Sequence, residues 1–194
     1  MPALFSPRAN AIARGTFAAV LIIAAAVVAG MMIYVRTSFA TGEHADIAQP
    51  IPFDHRIHAH DLKIDCRFCH STVERAASAG FPPTVACIGC HSKVWQESPQ
   101  FAPVRQSIAE SRPIAWRRVN ALPDFVYFNH SIHVAKGFGC ATCHGNVDRM
   151  QRVSQATPLS MHWCLDCHRN PAPNQEPNVA IPVRSLTSCS TCHR

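Results

Sequence analysis

Residues 128–145 read FNHSIHVAKGFGCATCHG. The segment ends in two cysteines three apart with a histidine directly after the second. In the C-x-x-C-H pattern the thiols attach a haem c and the histidine takes one axial site on its iron. His130 and His133 stand just upstream, three residues apart, so one helical turn would carry both on one face. An iron takes two axial ligands, and His144 already supplies one. If His130 and His133 both bind iron, one of them must serve a different haem.

The pattern recurs as CRFCH (66–70), CIGCH (87–91), CATCH (140–144), CLDCH (164–168) and CSTCH (189–193), and these five motifs use all 10 cysteines. Zinc knuckles, thioredoxin-like redox pairs and disulfide scaffolds also pair their cysteines, but none requires a histidine after every second one. The expectation is five covalently bound haems c. Their thioether residues would be Cys66 and Cys69, Cys87 and Cys90, Cys140 and Cys143, Cys164 and Cys167, and Cys189 and Cys192. The proximal iron ligands would be His70, His91, His144, His168 and His193.

A second copy of the opening segment lies at 53–70, FDHRIHAHDLKIDCRFCH, giving the repeat F-x-H-x-I-H followed by a haem motif. The chain therefore divides into a two-haem block (51–98) and a three-haem block (128–194). A connecting wrap (99–127) joins them, where Pro99, Pro103, Pro113 and Pro123 argue against a long helix. Trp95, Trp116, Trp163, Phe125, Tyr127 and Phe128 are expected to pack on haem faces. About 30 residues per haem cannot enclose each macrocycle in a polypeptide core. The expected fold is a haem-cored multihaem cytochrome c, with short helices and coil, little or no strand, and one N-terminal transmembrane helix.

Thioether attachment belongs to the oxidising side of a membrane. Residues 15–35, GTFAAVLIIAAAVVAGMMIYV, are uncharged and mostly apolar, about 30 Å of helix at 1.5 Å per residue. A cleavable signal peptide is the rival, with SFA at 38–40 as its cleavage site, but the run exceeds the roughly 7–15 residues of a signal core. The reading is a cytoplasmic N-terminus (1–14), a single-pass anchor (15–36) and a linker (37–50). Arg8 and Arg14 before the span place the haem domain on the periplasmic side of a bacterial cytoplasmic membrane. The net charge of +6 does not signal nucleic-acid binding. Three of the 18 basic residues precede residue 40, leaving 15 against 12 acidic residues, before haem propionates add negative charge.

Residues 128–194 resemble the class III and triheme c7-type cytochromes c. That resemblance implies that His130 pairs with His144 and His133 with His168. Carried to the first copy, it pairs His55 with His70 and His58 with His91. The fifth distal ligand is then Met161, with Met150 and His162 as alternatives. His60 and His44 are read as surface or propionate-contacting histidines. The segments PIAWRRVNALPDFVYFNHSIHV and MQRVSQATPLSMHWCLDCHRNP, with the haem count and spacing, are similar to the pentahaem subunit of bacterial alternative complex III. This implies an electron-transfer role inside a quinol-oxidising membrane complex. Its partners would be membrane subunits, an iron–sulfur protein, and a monohaem cytochrome, soluble carrier or oxidase as acceptor. The competing readings are a stand-alone membrane-anchored quinol dehydrogenase and a multihaem reductase, which would need an open axial site.

Overall fold

A computed structural model describes residues 6–170 and 183–193. The chain forms two units, Met1–Gly42 and Glu43–Arg194.

The first unit is dominated by α1 (Pro7–Tyr34), 28 residues long. Ser6 caps it by accepting from the Ala9 amide at 3.2 Å. The helix starts earlier than the apolar run, because Ala9 to Ala13 continue its register with good helix formers. It ends where the Thr37 hydroxyl donates to the Tyr34 carbonyl at 2.7 Å and Arg36 reaches the Met32 carbonyl. No side chain of the apolar window within Arg8–Tyr34 is buried by protein. By length and composition this helix could cross a bilayer, a test that an N-terminal signal sequence also passes. A short helix, α2 (Ser38–Thr41), follows and stops at Gly42, whose φ of 72° is a left-handed cap.

The second unit is built from short helices joined by turns. Those carrying cysteines are α3 (Cys66–Cys69), α4 (Thr84–His91), α7 (Cys140–His144), α8 (Met161–Arg169) and α10 (Cys189–Cys192). Between them lie α5 (Ala102–Ala109), α6 (His130–Ala135) and α9 (Val183–Leu186). Extended pairing among the described residues is limited to the isolated bridges Glu43–Gln155 and Val126–His193. The buried apolar side chains are Ile51, Val73, Phe101 and Val104. Ile51, Phe101 and Val104 form one cluster, with Cys87, Ile88, Ile114 and Trp116 against it. A domain of about 150 residues ordinarily buries about two thirds of its surface. Polypeptide alone does not supply that core, which fits a fold completed by prosthetic groups.

The connecting wrap holds one short α-helix. Residues 102–109 form the two-turn helix α5, because Pro103 sits in its first turn, where a missing amide proton costs nothing. The Ser107 hydroxyl meets that of Thr84 at 2.8 Å, tying α5 to α4. Phe101 leads into α5 and stacks on His91 at 4.6 Å, so the wrap packs directly on the second motif. Trp116 stacks on Phe81 at 6.4 Å beside the apolar cluster.

The two repeats begin alike and then diverge. In the second copy α6 is an ordinary α-helix, whereas residues Arg56–Asp61 of the first form a π-helical turn. The cause is visible in the spacing. His58 precedes its cysteine pair by one residue more than His133 does. A wider turn absorbs that insertion, with the Leu62 amide donating to the Ile57 carbonyl at 3.0 Å. This turn packs on the short turn Val147–Arg149, where His60 lies 3.4 Å from the Asp148 carboxylate.

Candidate functional site

Each motif places its two cysteines at i and i+3 of a helix, so both thiols share a face and the histidine follows at i+4. Asp65 caps α3, accepting from the Arg67 amide at 2.8 Å, and Ser160 caps α8 through the Trp163 amide at 3.2 Å. No disulfide joins any of the ten cysteines. Their mutual influence shows which motifs are neighbours. Burial pushes up the thiols of Cys66, Cys87, Cys143 and Cys164. Nearby thiols add to it: Cys140 acts on Cys66, and Cys69 on Cys87. Cys167 and Cys164 act on Cys143, and Cys192 acts on Cys164. The second motif thus lies beside the first, the first beside the third, the third beside the fourth, and the fourth beside the fifth.

The histidines outside the motifs stand opposite those within them. His58 faces His91 with ring centres 6.1 Å apart, His130 faces His144 at 6.1 Å, and His133 faces His168 at 6.2 Å. Two imidazoles each bound about 2.0–2.1 Å from one metal ion would have ring centres about 6 Å apart. The donor set and spacing therefore fit an iron held between each pair. His55 lies close enough to His70 to feel its charge. Burial first, then the charges of His70 and His58, lower its pKa to about 4, which keeps it neutral and able to ligate. Burial likewise lowers the pKa of His133 and of His144.

The ring nitrogens are set by backbone carbonyls, which only accept. Nδ1 must then carry the proton, leaving the Nε2 lone pair for a metal. The acceptors are Asp54 for His58 (2.9 Å), Gly80 for His70 (2.8 Å) and Val94 for His91 (3.1 Å). In the second block they are Ala77 for His130 (2.8 Å), Asn129 for His133 (2.8 Å), Leu186 for His168 (2.9 Å) and Phe125 for His193 (3.2 Å). No carbonyl acceptor is found for His55 or His144 among the described residues, and the Nδ1 of His55 is buried without a partner there.

The repeat proves to be a structural device as well as a sequence pattern. Phe53 meets His55 edge-on (4.7 Å, 84°) and stacks on His58 (4.3 Å, 27°). Phe128 treats His130 (4.8 Å, 89°) and His133 (4.5 Å, 27°) the same way. One phenyl ring thus sets two imidazoles in differing orientations, each toward its own facing histidine. The second position also matters. The Asp54 carboxylate accepts from the Arg56 amide, and the Asn129 side chain accepts from the Ser131 amide, both at 2.9 Å. The main-chain carbonyls of Asp54 and Asn129 hold the second histidine of each repeat. The second position of the repeat is therefore Asp or Asn, giving F-[D/N]-H-x-I-H.

His193 is cradled by the end of the wrap. Phe125 stacks on it at 5.8 Å, and the Tyr127 amide donates to the Cys192 carbonyl at 2.8 Å. Of the candidates for its distal partner, Met161 opens α8, is 63% exposed, and shares a helix face with Cys164, whose thiol feels that of Cys192. His162 is turned to another face, 81% exposed and paired with Asp166 at 3.2 Å. The Met150 methyl instead lies beside Gly145 of the third motif. His44 is on the surface, 3.7 Å from Glu43.

Residues 126–194 match the family described as cytochrome c7 and related cytochrome c. This segment is similar to cytochrome c7-type multihaem domains. The match implies covalently bound haem c, and it fits the facing histidine pairs just described. The chain is also similar to the multiheme cytochrome c subunit of a menaquinone reductase from Nitratidesulfovibrio vulgaris. The two are 29% identical over 168 residues, covering 75% of this chain and 77% of the relative. A high-molecular-weight cytochrome c of the same organism is 28% identical over 162 residues, 66% of this chain but 29% of that longer protein.

Proposed function

We propose that this multihaem cytochrome binds five haems c and is an electron-transfer subunit of a quinone-linked membrane complex of the alternative complex III type. When bound, haem c supplies a one-electron iron couple. The chain's residues would set its environment: the facing imidazole pairs would hold the iron, carbonyls fix their tautomers, and the phenyl rings of the repeats fix their orientation. The carrying observation is the set of facing histidine pairs, because a closed iron carries electrons and offers no site to a substrate. For the fifth haem, Met161 is the distal ligand, in keeping with its place on the face of α8 nearest the last motif.

In this reading α1 anchors the chain in the bacterial cytoplasmic membrane with the haem domain in the periplasm. Electrons arrive from quinol through an iron–sulfur subunit and leave for a monohaem cytochrome or another acceptor. The homology to a menaquinone reductase subunit favours a second reading, with the same subunit delivering electrons toward quinone. Purification in mild detergent with identification of companion subunits, followed by mixing the complex with a quinol or a reduced cytochrome, separates the two. Haem reduction by quinol that requires the companions supports the first reading, and quinone reduction from the cytochrome side supports the second. Quinol oxidation by the isolated chain would overturn both in favour of a stand-alone dehydrogenase. Carbon monoxide binding after mild reduction would point to a reductase.

A further inference from the structure

Hydrogen bonding at Nδ1 fixes the orientation of a metal-bound imidazole and raises its basicity, so the acceptors deserve tracing to their origins. For the second motif of each repeat-led block they are local. Asp54 and Val94 serve the pair His58–His91, and Asn129 and Leu186 serve His133–His168. For the first motif of each block, the acceptor of His70 is local as well, whereas that of His130 lies in the other block. Of His55, His70, His130 and His144, only His70 and His130 donate to a carbonyl among the described residues, and both acceptors lie in one loop. Gly80 receives from His70, and Ala77 receives from His130 across 53 positions of sequence.

The loop is built to hold these carbonyls still. The Thr72 hydroxyl donates to the Ser78 carbonyl at 3.0 Å, and the Gly80 amide donates to the Ser78 hydroxyl at 3.2 Å. The Arg75 and Ala76 amides close a turn on the Thr72 carbonyl. Gly80 has φ +71°, and a Cβ there would stand 2.8 Å from the Thr72 hydroxyl oxygen, so only glycine fits without a shift. The start of α6 sits on the same loop, with the His130 and Ser131 amides donating to the Ala77 and Ala76 carbonyls at 3.1 and 3.3 Å. Cys66 and Cys140 are neighbours at this junction.

We propose that the Thr72–Gly80 loop is a shared positioning element, orienting through the Gly80 and Ala77 carbonyls one axial imidazole on each of two haems from different blocks. It rests on the reading of His70 and His130 as iron ligands. The junction between the blocks then runs between the haems of the first and third motifs, and the haem at Cys87–Cys90 lies at the outer end of its block.

The test uses the full haem-loaded protein and low-temperature EPR with potentiometric titration. Gly80→Ala, which pushes the loop, and Thr72→Val, which removes its brace without changing the glycine, should each shift two low-spin signals together and leave the rest in place. Weaker Nδ1–H donation lowers ligand basicity, so both potentials should rise. A tenfold change in ferric preference, the lower end for such a partner, is about 59 mV for one electron. His130→Met identifies the signal of the Cys140-attached haem. A change in the His70 haem alone, in all signals or in none overturns the shared loop. If Gly80→Ala does not mature, Thr72→Val decides by the same criteria. An unaltered spectrum in His130→Met would instead remove the ligand assignment itself.

Discussion

Replacing Phe128 by Leu removes the ring that orients two imidazoles while keeping an apolar side chain in place. Phe128 makes one edge contact with His130 at 4.8 Å and one stacked contact with His133 at 4.5 Å. An aromatic pair of this kind contributes about 0.5–1.5 kcal/mol beyond its buried area, so losing two costs about 1–3 kcal/mol. For a chain of this size that is a fall of about 2–12 °C in melting temperature. Thermal unfolding of the haem-loaded protein measures the cost, and EPR of the oxidised protein measures ring orientation. Two low-spin signals should broaden, those of the haems at His144 and His168. Phe53→Leu should reproduce the loss in the first block, because its contacts with His55 and His58 have nearly the same geometry. Phe138→Leu is the internal control. That ring lies farther from His133, at 6.4 Å and tilted, so the loss should be smaller and confined to one signal. A Phe128→Leu protein that melts within about 1 °C of the parent with unchanged EPR would refute the argument.

Met161→Ala should lower the highest haem potential and abolish its methionine-ligand spectrum, while Met150→Ala leaves both in place; the reverse result in a potentiometric titration would reassign the ligand. Asp65→Ala should cost about 1 kcal/mol of stability through loss of the α3 cap, whereas Asp65→Asn keeps most of it, as read by denaturant titration. The hydrogen bond from Arg67 lowers the Asp65 pKa to about 2, so its contribution is present above about pH 4 and fades as pH falls toward 2. That acid-side loss should be absent from Asp65→Asn. Lys63 is exposed with φ 56°, a left-handed conformation costing a side-chain-bearing residue about 1–2 kcal/mol. Lys63→Gly should therefore raise the melting temperature slightly.

The sequence announced its chemistry because thioether attachment leaves little freedom. Cysteine spacing, the adjacent histidine and the repeated upstream pair are all side-chain facts, and short helices with almost no strand follow from them. The apolar span was equally plain, although α1 begins before it. Less legible were the groups that aim the histidines. Ala77, Gly80, Val94 and Leu186 act through main-chain carbonyls, which have no side-chain signature. The π-helical turn at Arg56–Asp61 was encoded in a one-residue difference of spacing, visible only once the two repeats are laid side by side. Phe101 lay in a segment whose prolines excluded only a long helix, and Pro103 occupies the start of a short one that tolerates it. The fifth distal ligand stayed open because Met150, Met161 and His162 are all chemically able to bind iron; what separates them is position, Met150 lying beside Gly145 of the third motif while Met161 and His162 sit on different faces of α8.

The central claim is that paired side chains close every iron, four by two histidines and one by histidine and methionine. Near-infrared magnetic circular dichroism of the fully oxidised, haem-loaded protein reads axial ligation haem by haem. The account predicts bis-histidine and histidine–methionine bands in a ratio of about four to one, with no high-spin component. A high-spin band equivalent to one haem, or a spectrum lacking the methionine band, would contradict it.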